Sequence, residues 1–78
     1  MSPMPKVTFV AHAKVTVNGE PRDVPTGQTV AGLLAALGLD RRKVAVERNE
    51  AIVPRSAYEA ILLTPGDQLE IVHFIGGG

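Results

Sequence analysis

A single amphipathic helix is the strongest structural signal in this 78-residue chain. Within residues 29–37, aliphatic side chains recur at intervals of three and four positions, so they line one face of a helix: Val30, Leu33, Leu34 and Leu37. Thr29 is a typical N-cap residue, and Gly38 stands where a glycine of positive φ often ends a helix. In so short a chain, one such helix has to bury its apolar face against a sheet.

The segments on both sides of the helix have the composition of short strands. Polar and apolar residues alternate before the helix at 14–17, and a second strand ends at Pro25, since proline is confined to strand ends and sheet edges. After the helix, the sequence predicts strands at 44–46, 52–53 and 68–74. The chain therefore combines one helix with about five strands.

Two registers are open for the first hairpin. A loop at 19–20 places Val15 opposite Val24, whereas a loop at 18–19 places Val15 opposite Arg22. We favour the 19–20 loop because it joins two valines on one face and puts glycine first in a type II′ turn.

Two local signals lie between the last strands. Ser56 and Glu59 have the spacing of a capping box, which predicts a short helical turn starting at Ser56. Pro65 and Gly66 occupy the two central positions of a predicted type II turn. Both signals indicate a compact connection to the last strand.

The last strand leaves two patterns of burial open. Its buried side holds either Leu69, Ile71 and His73, or it shifts near the end to Val72 and Phe74. Under both patterns, the order of a hairpin, a helix and further strands indicates an α+β fold. We expect a mixed sheet of four to five strands packed on one main helix, with the last strand central and parallel to the first. This is the β-grasp arrangement of ubiquitin.

Composition narrows the classes of function. Eight basic and eight acidic residues cancel, so the chain lacks the basic excess of a nucleic-acid-binding protein. Cysteine is absent, which excludes disulfides, thiolate metal sites and thiol nucleophiles, and His12 and His73 lack the spacing of metal ligands. No apolar run reaches the roughly 20 residues that span a bilayer. We expect a cytoplasmic protein without a membrane segment, a nucleic-acid partner, a metal or a bound cofactor.

Three segments are expected along the chain: a flexible N-terminal extension at 1–13, the folded domain at 14–75 and a flexible glycine tail at 76–78.

Glycine lacks a Cβ atom, so Gly76, Gly77 and Gly78 can enter a channel that would exclude side chains. The carboxylate of Gly78 is a poor electrophile, and ATP can activate it as an acyl-adenylate. A sulfur donor can then displace AMP and leave a thiocarboxylate.

An ordered set of short segments resembles the ThiS family of sulfur carriers in thiamine biosynthesis. The segments are VTVNG at 15–19, QT at 28–29, VAVERN at 44–49, IVPRS at 52–56, PGD at 65–67 and EIVHFIGGG at 70–78. The resemblance implies that Gly78 is adenylated by a ThiF-like adenylyltransferase, which consumes ATP. It also implies that a cysteine desulfurase supplies the sulfur and that a ThiG-like thiazole synthase receives it.

The resemblance and the residues together define the candidate site. Gly78 is the modified residue, Gly76 and Gly77 form the stem that enters a partner's active site, and Phe74 and Ile75 are candidate partner contacts. The chain would then be a protein co-substrate and not an enzyme, and it shows no nucleophile–base set. The alternatives are a carrier for molybdopterin or another sulfur pathway, and a non-catalytic ubiquitin-like interaction module.

Overall fold

The computed structural model describes residues 11–74 of the chain. Most of the extension expected at 1–13 and the whole tail at 76–78 lie outside the described residues. In chain order the elements are β1 (His12–Val17), β2 (Glu20–Pro25), α1 (Val30–Ala36), β3 (Val44–Arg48), β4 (Ala51–Val53) and β5 (Gln68–His73). Single 3-10 turns at Arg41–Lys43 and Arg55–Ala57 join them.

The strands form one mixed sheet in the order β2-β1-β5-β3-β4. Strand β5 lies in the centre, parallel to β1 and antiparallel to β3, and the two outer pairs are antiparallel hairpins. This arrangement confirms the β-grasp fold, including the central last strand parallel to the first.

Helix α1 forms where its sequence predicts it. The Thr29 hydroxyl accepts a hydrogen bond of 3.0 Å from the Gly32 N–H, and Gly38 has φ 72° just beyond the helix. The apolar face packs on the sheet, and one continuous core results: Ala13, Val15, Val24, Val30, Leu33, Leu34, Val44, Val46, Val53, Tyr58, Leu63, Leu69 and Ile71. Three residues of the expected face, Val30, Leu33 and Leu34, are buried, while Leu37 is the half-buried C-cap just after the helix.

The predicted register of the first hairpin is wrong. The loop is at 18–19, with φ 51° at Asn18 and 83° at Gly19, which is the geometry of a type I′ turn. Val15 therefore pairs with Arg22, while Val24 finds its buried partner in Ala13. An apolar match for Val24 exists in both registers, so the hydrophobic pattern alone did not select between them.

The beginning of the fold also differs from the expected residue. Strand β1 begins at His12, two residues before the expected start at 14, and Ala13 is only 4% exposed. Its pairing with Val24 explains this, because the correct register extends the hairpin toward the N-terminus.

The capping box expected at Ser56 does not form. The turn there is a 3-10 turn whose N-cap is Pro54, and no side chain caps it. It is fixed instead by the buried Tyr58, whose hydroxyl donates to the Val44 carbonyl over 3.2 Å. The type II turn that follows is confirmed, since Gly66 has φ 86° and the Asp67 N–H donates to the Thr64 carbonyl.

Burial along β5 decides between the two patterns left open. Leu69 and Ile71 are buried, whereas Val72 is 58% exposed and Phe74 is 50% exposed. His73 is exposed despite sharing the parity of the buried pair. The first pattern is therefore correct for the two aliphatic residues and wrong for the histidine, which lies past the end of the core.

Candidate functional site

The end of β5 is the place where the chain leaves the sheet toward its glycines. Of the site residues predicted from sequence, Ile75, Gly76, Gly77 and Gly78 lie outside the described residues. Phe74 is described: its backbone N–H donates to the Lys43 carbonyl over 2.9 Å, and its side chain is half exposed. The described part of the candidate site is the end of β5, which precedes the tail.

Strand β5 has unequal support on its two sides. On one side β3 pairs with it over nearly its whole length, from Leu69 to His73. On the other side the ladder with β1 ends early, since its last pair is Val17 and Leu69. The final residues of β5 thus run past the end of β1.

Asn18 fills the first position after that ladder. Its backbone N–H donates to the Leu69 carbonyl over 2.8 Å. Its side-chain amide then contacts Ile71 twice, because Oδ1 accepts from the Ile71 N–H at 2.8 Å and Nδ2 donates to the Ile71 carbonyl at 3.2 Å. The amide therefore provides the acceptor and donor that another residue of β1 would have provided.

Asn49 has the corresponding position at the start of β5. It lies in the two-residue loop between β3 and β4 with φ 52°, and its backbone N–H donates to the Gln68 carbonyl over 2.7 Å. Its side-chain Oδ1 accepts from the Gln68 N–H at 2.8 Å, and its Nδ2 donates to Asp67 Oδ1 at 3.1 Å. Both ends of the central strand are thus tied by an asparagine in a hairpin turn.

Asp67 is the centre of the network at this start. Asp67 is only 4% exposed, and its carboxylate accepts bonds from Arg48 Nε at 2.8 Å and from the Thr64 N–H at 2.8 Å. The side chains of Thr64 and Asn49 donate further bonds to it. Burial acts to raise the pKa of Asp67, but the hydrogen bonds from Arg48, Thr64 and Asn49 outweigh it and lower the pKa to about 2. Arg48 therefore pairs within the chain.

The face of the sheet opposite the helix carries an apolar patch beside the exit of the tail. Val72 and Phe74 lie two residues apart on this face, and the tail-side patch is defined here as these two side chains. The neighbour of Val72 across the sheet is the half-buried Ala45 of β3. Apolar side chains exposed next to one another are typical of protein contact sites.

The anchors of β5 were missed by the sequence reasoning. The local pattern marks Asn18 as a candidate loop residue and gives Asn49 and Asp67 no role beyond turns and the family segments that contain them. One signal was present, since an asparagine occupies the first position of both two-residue loops, where φ is positive. Which main-chain groups the two amides bind depends on the sheet order, which the local pattern does not contain.

Between residues 11 and 74, no group of three histidine or acidic side chains is placed to hold a metal ion. Over the same residues, no helix is long and apolar enough to cross a membrane. What the described residues provide is a rigid strand, an exit from the sheet and an adjacent apolar contact surface.

Comparison with known proteins places this geometry in a family. The model of the ThiS family matches residues 15–78, which includes all five strands in part or whole and the three terminal glycines. The chain belongs to the ThiS family. The sulfur carrier protein ThiS of Bacillus subtilis is 44% identical over 50 residues, which are 64% of this chain and 76% of that protein.

Two further relatives are much longer than this ThiS family member. Thiazole synthases of Magnetococcus marinus and Paramagnetospirillum magneticum are 54% and 55% identical to it over 65 residues, or 83% of the chain. The chain spans only 20% of the length of each. A crystal structure of the thiamine biosynthesis protein ThiS from Geobacter metallireducens matches with a TM-score of 0.72 at 37% identity, covering 83% of this chain and 99% of that one.

Proposed function

We propose that this ThiS family member carries sulfur on the carboxyl group of Gly78 and donates it for thiazole formation in thiamine biosynthesis. The observation that carries the proposal is the family match through residue 78, which joins the glycine segment to the β-grasp domain in one pattern. The carrier is a protein co-substrate, and the partner enzymes perform the catalysis.

The proposed chemistry has two substitutions and a final reduction. In the first, a carboxylate oxygen of Gly78 attacks the α-phosphorus of ATP, pyrophosphate leaves and a glycyl adenylate forms. In the second, the terminal sulfur of the desulfurase's persulfide attacks the adenylate carbonyl and AMP leaves with its electron pair. A thiol, which excess cysteine supplies, then reduces the S–S bond of the resulting acyl disulfide, so that a thiocarboxylate remains and the thiol is oxidised to a disulfide. A tail without Cβ atoms suits both steps, because Gly76 and Gly77 pass through a channel that a side chain would block.

Three partner classes follow from these steps. A ThiF-like adenylyltransferase binds and consumes the ATP, and a cysteine desulfurase supplies the sulfur. A ThiG-like thiazole synthase accepts it, and the two thiazole synthases that contain a segment over half identical to this chain support that part of the proposal. A cytoplasmic location belongs to the same proposal and can be checked by cell fractionation.

The tail-side patch is the proposed docking surface for these partners. Val72 and Phe74 are exposed apolar side chains next to the tail, so burying them against a partner would hold the glycines at its active site. Ile75, predicted from sequence as a second contact, lies outside the described residues.

The docking surface is tested with a pair of alanine variants. Phe74→Ala is compared with Leu62→Ala, because Leu62 is equally exposed, at 54%, but lies in the segment beside the start of α1. We expect Phe74→Ala to raise the KM of the adenylyltransferase for the carrier about tenfold, which is the effect of losing one moderate contact residue. Leu62→Ala should leave that KM unchanged. An equal KM for both variants would remove Phe74 from the docking surface.

The carrier function is tested by intact mass. The protein is incubated with ATP, the adenylyltransferase, a cysteine desulfurase and cysteine, and a mass gain equal to the exchange of one oxygen for sulfur is expected. A variant without Gly78, and a reaction without ATP, should show no gain. No gain in the complete reaction, under conditions that load the Bacillus subtilis carrier, would contradict the proposal.

The receiving pathway is tested with the loaded protein. Thiazole synthase should form its product in proportion to the carrier added, and molybdopterin synthase should not. The opposite result would assign the chain to molybdopterin formation, while loading without transfer to either would leave sulfur delivery to a different acceptor.

A further inference from the structure

Both side chains that anchor β5 are asparagines, but one lies at the end of the strand far from the tail and the other at the end near it. Asn49 binds Gln68, the first residue of the strand, whereas Asn18 binds Ile71, near its end. An amide presents one donor and one acceptor side by side, so it can pair with both main-chain groups of a single residue, as Asn18 does with Ile71.

Asn18 is held for this task by its place in the turn. Its φ of 51° belongs to the left-handed region, which asparagine adopts more readily than most residues. Its backbone N–H is fixed on the Leu69 carbonyl, so the side chain has only to reach two residues further along β5. Strand β5 is thereby extended on this side beyond the last residue pair that β1 supplies.

The contact decides how β5 is held just before the chain leaves the sheet. On its other side the strand is held by β3, through the pairing of His73 with Val44 and the bond from Phe74 to Lys43. With Ile71 tied to Asn18, both sides of β5 are fixed up to three residues before Phe74. Without that amide, the residues of β5 after Leu69 would be held by β3 alone. A strand held on one side can twist and shift at its end.

We propose that Asn18 is a positioning residue: its side-chain amide fixes the direction in which β5 leaves the sheet at Phe74, and so the direction in which the chain is presented to a partner. The inference rests on the proposed carrier function. Asn18 acts through Ile71 and takes no part in the chemistry at Gly78.

The test compares Asn18→Gly with the matched control Asn49→Gly. Glycine adopts positive φ without strain, so each variant keeps its turn and loses only the side-chain amide. Each amide makes two hydrogen bonds at the ends of β5. A role in folding alone therefore predicts the same behaviour for both variants.

The kinetic readout is the split between kcat and KM for adenylation, measured at a temperature where circular dichroism shows both variants folded. We expect Asn18→Gly to lower kcat about tenfold, because displacement of a reacting group by about 1 Å costs up to about 100-fold. Its KM should stay within about twofold, since the tail-side patch is intact. Asn49→Gly should retain the wild-type kcat. Equal kcat values for the two variants would overturn the proposal.

A second readout does not depend on the carrier function. Backbone NMR of the full chain should show faster amide exchange and changed residual dipolar couplings at His73 and Phe74 in Asn18→Gly, with wild-type values in Asn49→Gly. Unchanged couplings in Asn18→Gly would overturn the positioning role. If the wild type is never loaded with sulfur but the couplings change as expected, the carrier function fails and the structural role of Asn18 stands.

Discussion

The two hairpin turns of the sheet have the same design and hold the central strand in different ways. Each has an asparagine at positive φ in the first position of a two-residue loop, and each asparagine binds the main chain of β5. At the start of β5, Asn49 is joined by Asp67, Arg48 and Thr64 in a partly buried network. Near its end, the described residues contribute the Asn18 amide alone on the β1 side.

This difference suggests separate roles for the two ends of β5: the start stabilises the folded domain, and the end presents the tail to a partner. The start of β5 is held by a buried carboxylate with several donors, so its loss should act on the stability of the domain. The end of β5 has fewer bonds and lies beside the exposed tail-side patch. Groups that act on partners are commonly placed on such less constrained segments of a rigid scaffold.

The largest expected effect is at the start of the strand. Asp67→Asn should lower the free energy of unfolding by about 2–3 kcal/mol, because Arg48 loses its buried partner and the Thr64 N–H loses a charged acceptor. Urea denaturation measures it. Asp23→Asn is the control, since this exposed carboxylate lies 3.8 Å from Lys14 and should contribute less than about 0.5 kcal/mol. A loss for Asp67→Asn as small as that expected for the control would show that the network does not stabilise the fold.

The pH dependence of stability has the same origin and a slightly smaller expected size. The pKa of Asp67 in the folded chain is about 2, below its ordinary value of 3.8, so the folded state binds fewer protons than the unfolded state at intermediate pH. The stabilisation is complete above about pH 5 and is lost as the pH falls toward 2, by about 2 kcal/mol in total. Thermal melts between pH 5 and pH 2 should show a shallower decline for Asp67→Asn than for the wild type. Parallel declines would assign the acid sensitivity to other carboxylates.

Glycine variants of the two turn asparagines compare how much each end of β5 contributes to stability. Asn49→Gly and Asn18→Gly should each lower the free energy of unfolding by about 1–2 kcal/mol, since each removes two hydrogen bonds of modest net value. Denaturant midpoints measured in parallel give the two losses. A much larger loss for Asn18→Gly would mean that the end of β5, and not its start, limits the stability of the sheet.

The smallest effect is expected at the tail-side patch. Phe74→Ala should change the free energy of unfolding by less than about 0.5 kcal/mol, because half of the side chain already lies in solvent and it is not part of the core. A loss comparable to that of the turn variants would show that Phe74 packs as a core residue, which would leave Val72 as the exposed part of the patch.

Local patterns in the sequence predict the elements of this fold but not the contacts between distant residues. The helix follows from its aliphatic spacing and its Thr29 cap, and the β-grasp order follows from the sequence of elements. The register of the first hairpin was missed because Val24 has an apolar match in both registers. The Asn18–Ile71 contact, which forms in the observed register, joins residues 53 positions apart, so no local pattern contains it.

The same distinction between local patterns and distant contacts applies to the candidate site. The resemblance over short motifs predicts a role for Gly78, which lies outside the described residues and stays a prediction. Phe74 was named as a candidate partner contact while its burial was left open, and it is half exposed. The Asp67 network was not predicted, because Arg48 and Asn49 follow one strand while Thr64 and Asp67 precede another, and only the sheet order brings them together. The capping box at Ser56 shows the opposite error, since a correct local motif was overridden by the burial of Tyr58.

The central claim is that sulfur is carried on Gly78, and fragmentation of the intact loaded protein in a mass spectrometer tests it most directly. After incubation with ATP, the adenylyltransferase, the desulfurase and cysteine, C-terminal fragments that contain Gly78 should carry the exchange of one oxygen for sulfur. N-terminal fragments that end before Gly78 should keep their unmodified mass. Sulfur found in any of those N-terminal fragments, or in no fragment at all, would contradict the claim.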